Sequence, residues 1–230
     1  MNAALTVIFQ PFIFLIEQGY SLYLFMTDSQ GLAILLTSAT FSIAIFPLQR
    51  WCKRYESGIS ARYEKMKVDV ALLDSGLRGE KRFNQIEKIY AKHGYHPIQS
   101  ILLGLSFFVA IPFLIASLLI FNQPVMLTGA SFLFIADLSL PDSTLHLGEM
   151  TVNLLPILLF VFTYIDAWFR YRDSPSTKNR FLLISIVLMV LVYAMPAGLL
   201  LYWIGANAMS FVIYQVVNFR KPVQDNCGIV

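Results

Sequence analysis

The fold is decided by the stretch from Phe181 to Phe219, FLLISIVLMVLVYAMPAGLLLYWIGANAMSFVIYQVVNF, which contains no charged side chain. A helix needs about 20 apolar residues to cross the roughly 30 Å hydrocarbon core of a bilayer. This stretch is too long for one such helix, and Met195-Pro196-Ala197-Gly198 offers a break because proline interrupts the helical hydrogen-bond ladder. The pattern therefore predicts two membrane-spanning helices joined by a tight turn.

The rest of the chain has the composition of the same class of protein. Of its 230 residues, 57% are hydrophobic and 13% are charged, with a mean hydropathy of +0.64, whereas a soluble domain carries about 25% charged residues. Further apolar segments lie at about Gly31–Leu48, Ile98–Phe121 and Thr151–Ala167. We predict an all-α integral membrane protein with about five transmembrane helices. It would form one membrane domain over residues 1–230, with four of the spans between residues 98 and 219.

The N-terminal residues 1–28 are apolar but lack the basic start of a secretory signal peptide. Pro11 and Glu17 interrupt them. We predict a helix that lies along the outer membrane interface, and an additional span is the alternative. The aromatic anchors of this interfacial helix would be Phe12, Phe14, Tyr20, Tyr23 and Phe25.

A polar segment, residues 50–96, has apolar residues at helical spacing and a break at Asp74–Gly79. This pattern predicts a hairpin of two amphipathic helices. Eleven Lys and Arg residues lie in it, and the remaining six of the 17 lie between Arg170 and Arg180 and at Arg220-Lys221. Because basic residues stay on the cytoplasmic side, the hairpin and the C-terminus are predicted to face the cytoplasm and the N-terminus the outside.

The sequence offers little support for catalysis. His93 and His96 lie across the predicted membrane from His146, and no cluster of Cys, Asp or Glu completes a metal site. Asp166 is the only acid within a predicted span, and an interfacial acid paired with a nearby arginine explains it better than a proton relay. We therefore expect no enzyme activity, no cofactor, no metal and no nucleic-acid partner.

Neutral polar side chains are frequent in the predicted spans. Trp203, Asn207, Ser210 and Tyr214 follow one another at helical spacing, and Ser38 and Ser42 share a face. Such groups either join neighbouring helices or line a wet cavity within the membrane, and both interpretations stay open for each residue. The candidate cavity residues are Ser38, Ser42, Gln99, Ser106, Tyr164, Trp203, Asn207, Ser210 and Tyr214.

Four local motifs, in order along nearly the whole chain, resemble those of the YidC-type membrane protein insertases. Ile89–Pro97, IYAKHGYHP, is similar to the family's Tyr-x-x-His-Gly-x-Asn-Pro motif, and Ile111-Pro112-Phe113 to its apolar-Pro-apolar element. Phe132–Asp142, FLFIADLSLPD, resembles a family loop. Met195–Asn207, MPAGLLLYWIGAN, is the most specific match.

The resemblance implies a multi-pass protein of the bacterial inner membrane with a hydrophilic groove, open to the cytoplasm and to lipid and closed on the outer side. Polar segments of newly made membrane proteins would enter the groove while their apolar helices pass into the bilayer. The hairpin would receive the incoming chain. Whether a Sec-type channel or a dedicated complex assists is left open. The candidate hairpin residues are Arg62, Lys65, Lys81, Arg82 and Lys88.

One departure from the family pattern concerns the first span. Family members usually carry an arginine five residues before the proline near the end of that span, and this position, counted from Pro47, is Ser42 here. The chain thus resembles a short, divergent paralogue. A non-catalytic scaffold subunit is the alternative function. A small-solute transporter is less favoured, because no inverted repeat or buried ionisable pair is present.

Overall fold

The computed structural model describes residues 3–73, 78–96, 98–99, 105–123, 127–147, 150–170 and 175–219. These residues are mainly helical, as predicted. The helices are α1 (Ala3–Thr27), α2 (Gln30–Ala71), α3 (Gly79–Lys92), α4 (Leu105–Phe121), α5 (Leu154–Arg170), α6 (Pro175–Val192) and α7 (Ala197–Phe219), and two short strands are β1 (Leu145–Leu147) and β2 (Met150–Val152).

The two short strands leave the predicted helical class in place, but they change the predicted start of the third span. β1 and β2 form an antiparallel pair in which Leu145 faces Val152 and His146 faces Thr151. Thr151 was predicted to begin a transmembrane helix, but it lies in β2, and the helix begins at Leu154. The physical reason is that β-branched residues favour strands, whereas helix α5 begins only after the capping groups described below.

Helix α2 runs without interruption through the predicted end of the first span. It contains Pro47 and continues past Arg50 to Ala71, so the basic residues end the apolar stretch but not the helix. Residues 50–71 are rich in Arg, Lys, Glu and Ala, which are good helix formers. Part of the predicted hairpin break, Asp74–Leu77, lies outside the described residues, as do residues 100–104, 171–174 and 220–230.

Among the described residues, three helices are long and apolar enough to cross a membrane, at Val7–Thr27, Gln30–Ala71 and Ala197–Val217. Two shorter apolar helices cover Phe108–Phe121 and Leu154–Phe169. The count of five spans therefore stays a prediction. So does the interfacial placement of α1, which is long enough for the alternative of a span.

The chain divides into two compact units, one formed by residues 1–44 and 112–230 and the other by Ile45–Ile111. The core of the first unit collects fully or almost fully buried side chains from its helices, such as Ile16, Ile34, Ile120 and Leu200. The second unit has a small core of Ile59, Met66 and Tyr95. The prediction of a single domain over residues 1–230 is not tested by this division.

Candidate substrate groove

The predicted polar residues of the first span lie at the seam between α2 and α7. The Ser38 hydroxyl is buried and donates to the Leu35 carbonyl oxygen at 2.8 Å, within its own helix. Ser42 Oγ lies 2.8 Å from the Ser38 carbonyl oxygen and 3.4 Å from the Ala206 carbonyl oxygen of α7. These hydroxyls thus satisfy their own hydrogen-bonding needs on backbone oxygens, and Ser42 also reaches the neighbouring helix.

Gly205 is what allows α2 and α7 to approach so closely. A Cβ atom built there would collide with Ser38 Oγ and lie 3.0 Å from Leu35 Cδ2. Small residues at such contacts let helix backbones come together in membranes. Gly205 is not among the candidate residues predicted from the sequence, although a glycine within an apolar span is a signal that identifies such a position.

Trp203 lies in the packed part of α7 and binds α4. Its side chain is buried, and the indole Nε1–H donates to Ser117 Oγ at 3.0 Å. Ser117 Oγ also contacts the Leu114 carbonyl oxygen at 2.8 Å. A buried indole N–H needs a partner, so this hydrogen bond joins two helices rather than presenting a polar group to a cavity.

The other candidates on α7 are less enclosed. Asn207 is exposed, and Ser210 and Tyr214 are partly buried. The structure therefore places Ser42 beside Ala206, the residue before Asn207, and the shared face of Trp203, Asn207, Ser210 and Tyr214 stays a prediction.

The remaining candidates belong to parts of the chain other than α2 and α7. Tyr164 on α5 is exposed and stacks on Trp168 with ring centroids 6.2 Å apart, beside an open cleft of about 250 Å³. Gln99 belongs to the second unit. The side chain of Ser106 lies outside the described residues. Within the described parts of the chain, no group of three or more His, Cys, Asp and Glu residues could hold a metal ion.

A folded loop, residues 127–147, covers the end of the first unit where α7 begins; we call it the capping loop. The amides of Ala197 and Gly198 donate to the carbonyl oxygens of Leu140 and Leu138 at 2.8 and 2.9 Å. Leu138 is fully buried in the core. The first turn of α7, whose amides have no partner within the helix, is thus capped by loop backbone.

Asp142 connects the capping loop to α5, and Asn153, the residue before α5, accepts a hydrogen bond from the Ser143 amide of that loop at 3.1 Å. Asp142 Oδ2 accepts hydrogen bonds from the Leu154 and Leu155 amides at 2.6 and 3.0 Å. Asn153 Nδ2 donates to the Tyr193 carbonyl oxygen at 2.7 Å. A carboxylate at a helix N-terminus satisfies free amides and complements the helix dipole, which explains why α5 begins at Leu154.

Asp137 organises the middle of the capping loop. Its carboxylate accepts hydrogen bonds from the Ser139 hydroxyl at 2.7 Å, the Ser139 amide at 2.8 Å and the Gly129 amide at 3.2 Å. These bonds stabilise the ionised form and hold the pKa of Asp137 below its ordinary value, the Ser139 hydroxyl contributing most.

In the second unit, the His93-Gly94-Tyr95 motif ends α3 with a defined cap. Gly94 has a positive φ of 56°, its amide donates to the Ala91 carbonyl oxygen, and the Tyr95 amide donates to the Tyr90 carbonyl oxygen. This is a Schellman motif, which favours glycine at the left-handed position. It turns the Tyr95 ring into contact with Tyr63 of α2, with centroids 5.6 Å apart.

A hydrogen-bonded ion pair fastens α3 to α2 in the same unit. Asp69 Oδ2 lies 2.8 Å from Lys92 Nζ and 2.8 Å from His93 Nε2. The hydrogen bond from Lys92, followed by that from His93, lowers the pKa of Asp69 from its ordinary value. The candidate basic residues Arg62, Lys65, Lys81, Arg82 and Lys88 are all exposed around this unit.

A known protein family matches most of this chain. The family model described as 60Kd inner membrane protein matches residues 21–224. This chain belongs to that family. Together with its long apolar helices, family membership indicates a protein of the bacterial inner membrane. The orientation of the termini stays a prediction.

Curated relatives named membrane protein insertase YidC agree with this assignment. The protein from Treponema denticola is 27% identical over 204 residues, which are 82% of this chain and 34% of the relative. The one from Herminiimonas arsenicoxydans is 26% identical and covers 93% of this chain and 37% of the relative. The one from Chlamydia trachomatis is 25% identical over 91% and 28%, respectively. The chain thus spans about a third of the length of these relatives.

Proposed function

We propose that this chain acts as a membrane protein insertase or chaperone. It would receive polar segments of client proteins in an intramembrane groove and release their apolar helices into the bilayer. The family match over residues 21–224 and the relatives named as insertases support this proposal. The observation that carries it at the level of structure is the uneven packing of the first unit.

The helices of the first unit are packed tightly toward the capping loop and loosely away from it. In α7, Leu199 to Trp203 are buried, whereas the described side chains from Ile204 to Val217 are partly buried or exposed. In α2, Ile34, Thr37 and Ser38 are buried, but residues 39–44 are not. This decrease in burial along α2 and α7, away from the capping loop, supports the proposal of a groove that is sealed on one side. We call the less buried part of these two helices the open half.

The polar residues of α7 lie in the open half. Asn207, Ser210 and Tyr214 all follow the last buried residue of that helix, Trp203, and Ser42 is near Ala206 across the seam. An unsatisfied polar group costs several kcal/mol in hydrocarbon. Hydroxyl and amide side chains in the open half would reduce this cost for a client segment crossing the membrane.

The groove proposed here is neutral at its centre. The membrane-spanning part of α2, Gln30 to Leu48, contains no basic residue, and Ser42 takes the position at which family members usually carry arginine. A neutral groove favours clients whose translocated segments are polar but uncharged. It offers less attraction to acidic segments than a cationic groove does.

The proposal is tested by insertion of single-spanning clients into proteoliposomes that hold this chain. One client carries a short neutral polar tail and the other an acidic tail of equal length. Wild type is expected to insert the neutral-tailed client, and Ser42→Arg should raise insertion of the acidic-tailed client. Ser42→Gln supplies a long polar side chain without charge and should not. Absence of insertion of both clients by correctly folded wild type would refute the proposal.

A second pair of variants tests the polar face of α7. Asn207→Leu should reduce insertion of the neutral-tailed client, because the amide is lost from the open half. Val212→Leu, at an exposed apolar position of the same helix, is the matched control and should leave insertion unchanged. Equal activity of the two variants would show that Asn207 does not contact the client.

The alternative of a scaffold subunit makes a different prediction for crosslinking. A photocrosslinker at position 207 in cells should capture many nascent membrane proteins if the chain is an insertase. Capture of one stable partner, at a fixed stoichiometry, would indicate a scaffold whose polar face is permanently covered by protein.

A further inference from the structure

The capping loop exposes a tight apolar turn that its internal contacts do not explain. Phe132 and Ile135 exchange two backbone hydrogen bonds, each 2.9 Å, so Leu133 and Phe134 form the two-residue tip of a small hairpin. Leu133 is 82% exposed and Phe134 is 47% exposed. The tip therefore points two large apolar side chains away from the protein.

The conformation of Leu133 makes this exposure more unusual. Its φ is +52°, in the left-handed region that Gly and Asn favour in hairpin turns. In a turn surrounded only by water, Gly or Asn would adopt this conformation at a lower energetic cost than Leu. An apolar side chain that is both strained and exposed indicates that something outside the chain compensates for it.

The neighbouring surface indicates which environment compensates for the strain and exposure of Leu133. The Phe132 ring occupies the space next to Gly31, so the tip lies beside the corner where α1 ends and α2 begins. At this corner, Phe25 is 89% exposed and Met26 is also exposed. The tip thus extends the apolar surface that the long helices present to lipid.

Charge agrees with a position at the level of the lipid headgroups. Asp28 is exposed at the corner itself, which suits the interface and not the hydrocarbon interior. The sequence between Phe121 and Leu154 contains no Lys or Arg, so attraction to anionic lipids cannot be the driving force. Burial of apolar side chains at the boundary between headgroups and acyl chains remains as the driving force.

We propose that the Leu133-Phe134 tip inserts into the membrane leaflet at the capping-loop end, which the distribution of basic residues assigns to the outer leaflet. The tip anchors the capping loop at the interface next to the α1–α2 corner. This proposal does not depend on insertase activity, because it concerns the resting protein in a bilayer.

The test places an environment-sensitive fluorophore on the full-length chain in nanodiscs, where both membrane faces are accessible. Leu133→Cys and Phe134→Cys are labelled separately in a Cys52→Ala, Cys227→Ser background. Ser143→Cys, an exposed polar position of the same loop, is the matched control. Two tip positions are used so that one poorly folded variant does not decide the result.

Insertion predicts blue-shifted emission at both tip positions, strong quenching by nitroxide-labelled lipid and weak quenching by aqueous iodide. The Ser143 control should show the reverse. Quenching at the tip should be the same in zwitterionic nanodiscs and in nanodiscs with added anionic lipid. If both tip labels respond to iodide as strongly as the control and not to lipid nitroxide, the proposal is overturned and a protein partner becomes the candidate.

Discussion

Replacing Gly205 by alanine should force α2 and α7 apart at the seam. The added Cβ would meet Ser38 Oγ and Leu35 Cδ2. Overpacking of a well-packed contact destabilises a protein by about 1–3 kcal/mol. Alanine in place of a glycine inside a helix stabilises that helix by about 1 kcal/mol. We therefore expect Gly205→Ala to lower the free energy of unfolding by about 0–2 kcal/mol relative to wild type.

The decisive quantity is the coupling with Ser38, because the net effect of one substitution is small. Ser38→Ala removes the hydroxyl that the new methyl group meets and leaves the Ser38 Cβ at an ordinary 3.4 Å from it. The double variant should then recover about 1–2 kcal/mol relative to the sum of the single variants. Reversible unfolding in mixed micelles, followed by far-UV circular dichroism, measures the four free energies of wild type, the two single variants and the double variant.

Gly58 supplies the control for helix propensity. It lies in α2, and a Cβ built there meets nothing within 4 Å. Gly58→Ala should therefore stabilise the protein, and its coupling with Ser38→Ala should be near zero. A coupling below about 0.5 kcal/mol between the Gly205 and Ser38 substitutions would refute the close seam. So would a Gly205→Ala variant that is as stable as Gly58→Ala.

Three further predictions follow from polar contacts outside the seam. Asp142→Ala should cost about 1–2 kcal/mol by removing the cap of α5, and hydrogen exchange should accelerate at the first two amides of that helix, while Asp142→Asn should retain part of the protection. Hydrogen bonds from Lys92 and His93 lower the pKa of Asp69, so its contribution to stability is present above the ordinary carboxyl pKa and is lost as the pH falls through the lowered value. The protection of α3 amides against hydrogen exchange should therefore fall in that acid range in wild type. In Asp69→Asn, the protection should not change over the same pH range. Trp203→Phe should cost about 1 kcal/mol by breaking the hydrogen bond to α4, measured by the same unfolding assay, and an unchanged stability would contradict the role assigned to that bond.

The apolar stretches were enough to establish the class of protein from the sequence, whereas the orientation inferred from the basic residues stays a prediction. Hydrocarbon admits only long apolar segments whose backbone groups are internally satisfied, so residues 181–219 predict membrane helices whatever their neighbours. The break at Met195–Gly198 was correctly located, since α6 ends at Val192 and α7 begins at Ala197. The local motifs also pointed to the family that the match over residues 21–224 shows.

The partners of individual polar side chains were decided only by the tertiary structure. Ser38, Trp203 and Asn207 are all polar or amphipathic residues in apolar spans, and periodicity alone treats them alike. Packing separates them. The Ser38 hydroxyl lies next to Gly205 and donates to the Leu35 carbonyl oxygen of its own helix, the Trp203 indole donates to Ser117 Oγ, and Asn207 is exposed. Likewise, Asp142 caps a helix that begins twelve residues later. Hydrogen-bond partners depend on which helices meet and at what depth, and these long-range contacts have no local signature in the sequence.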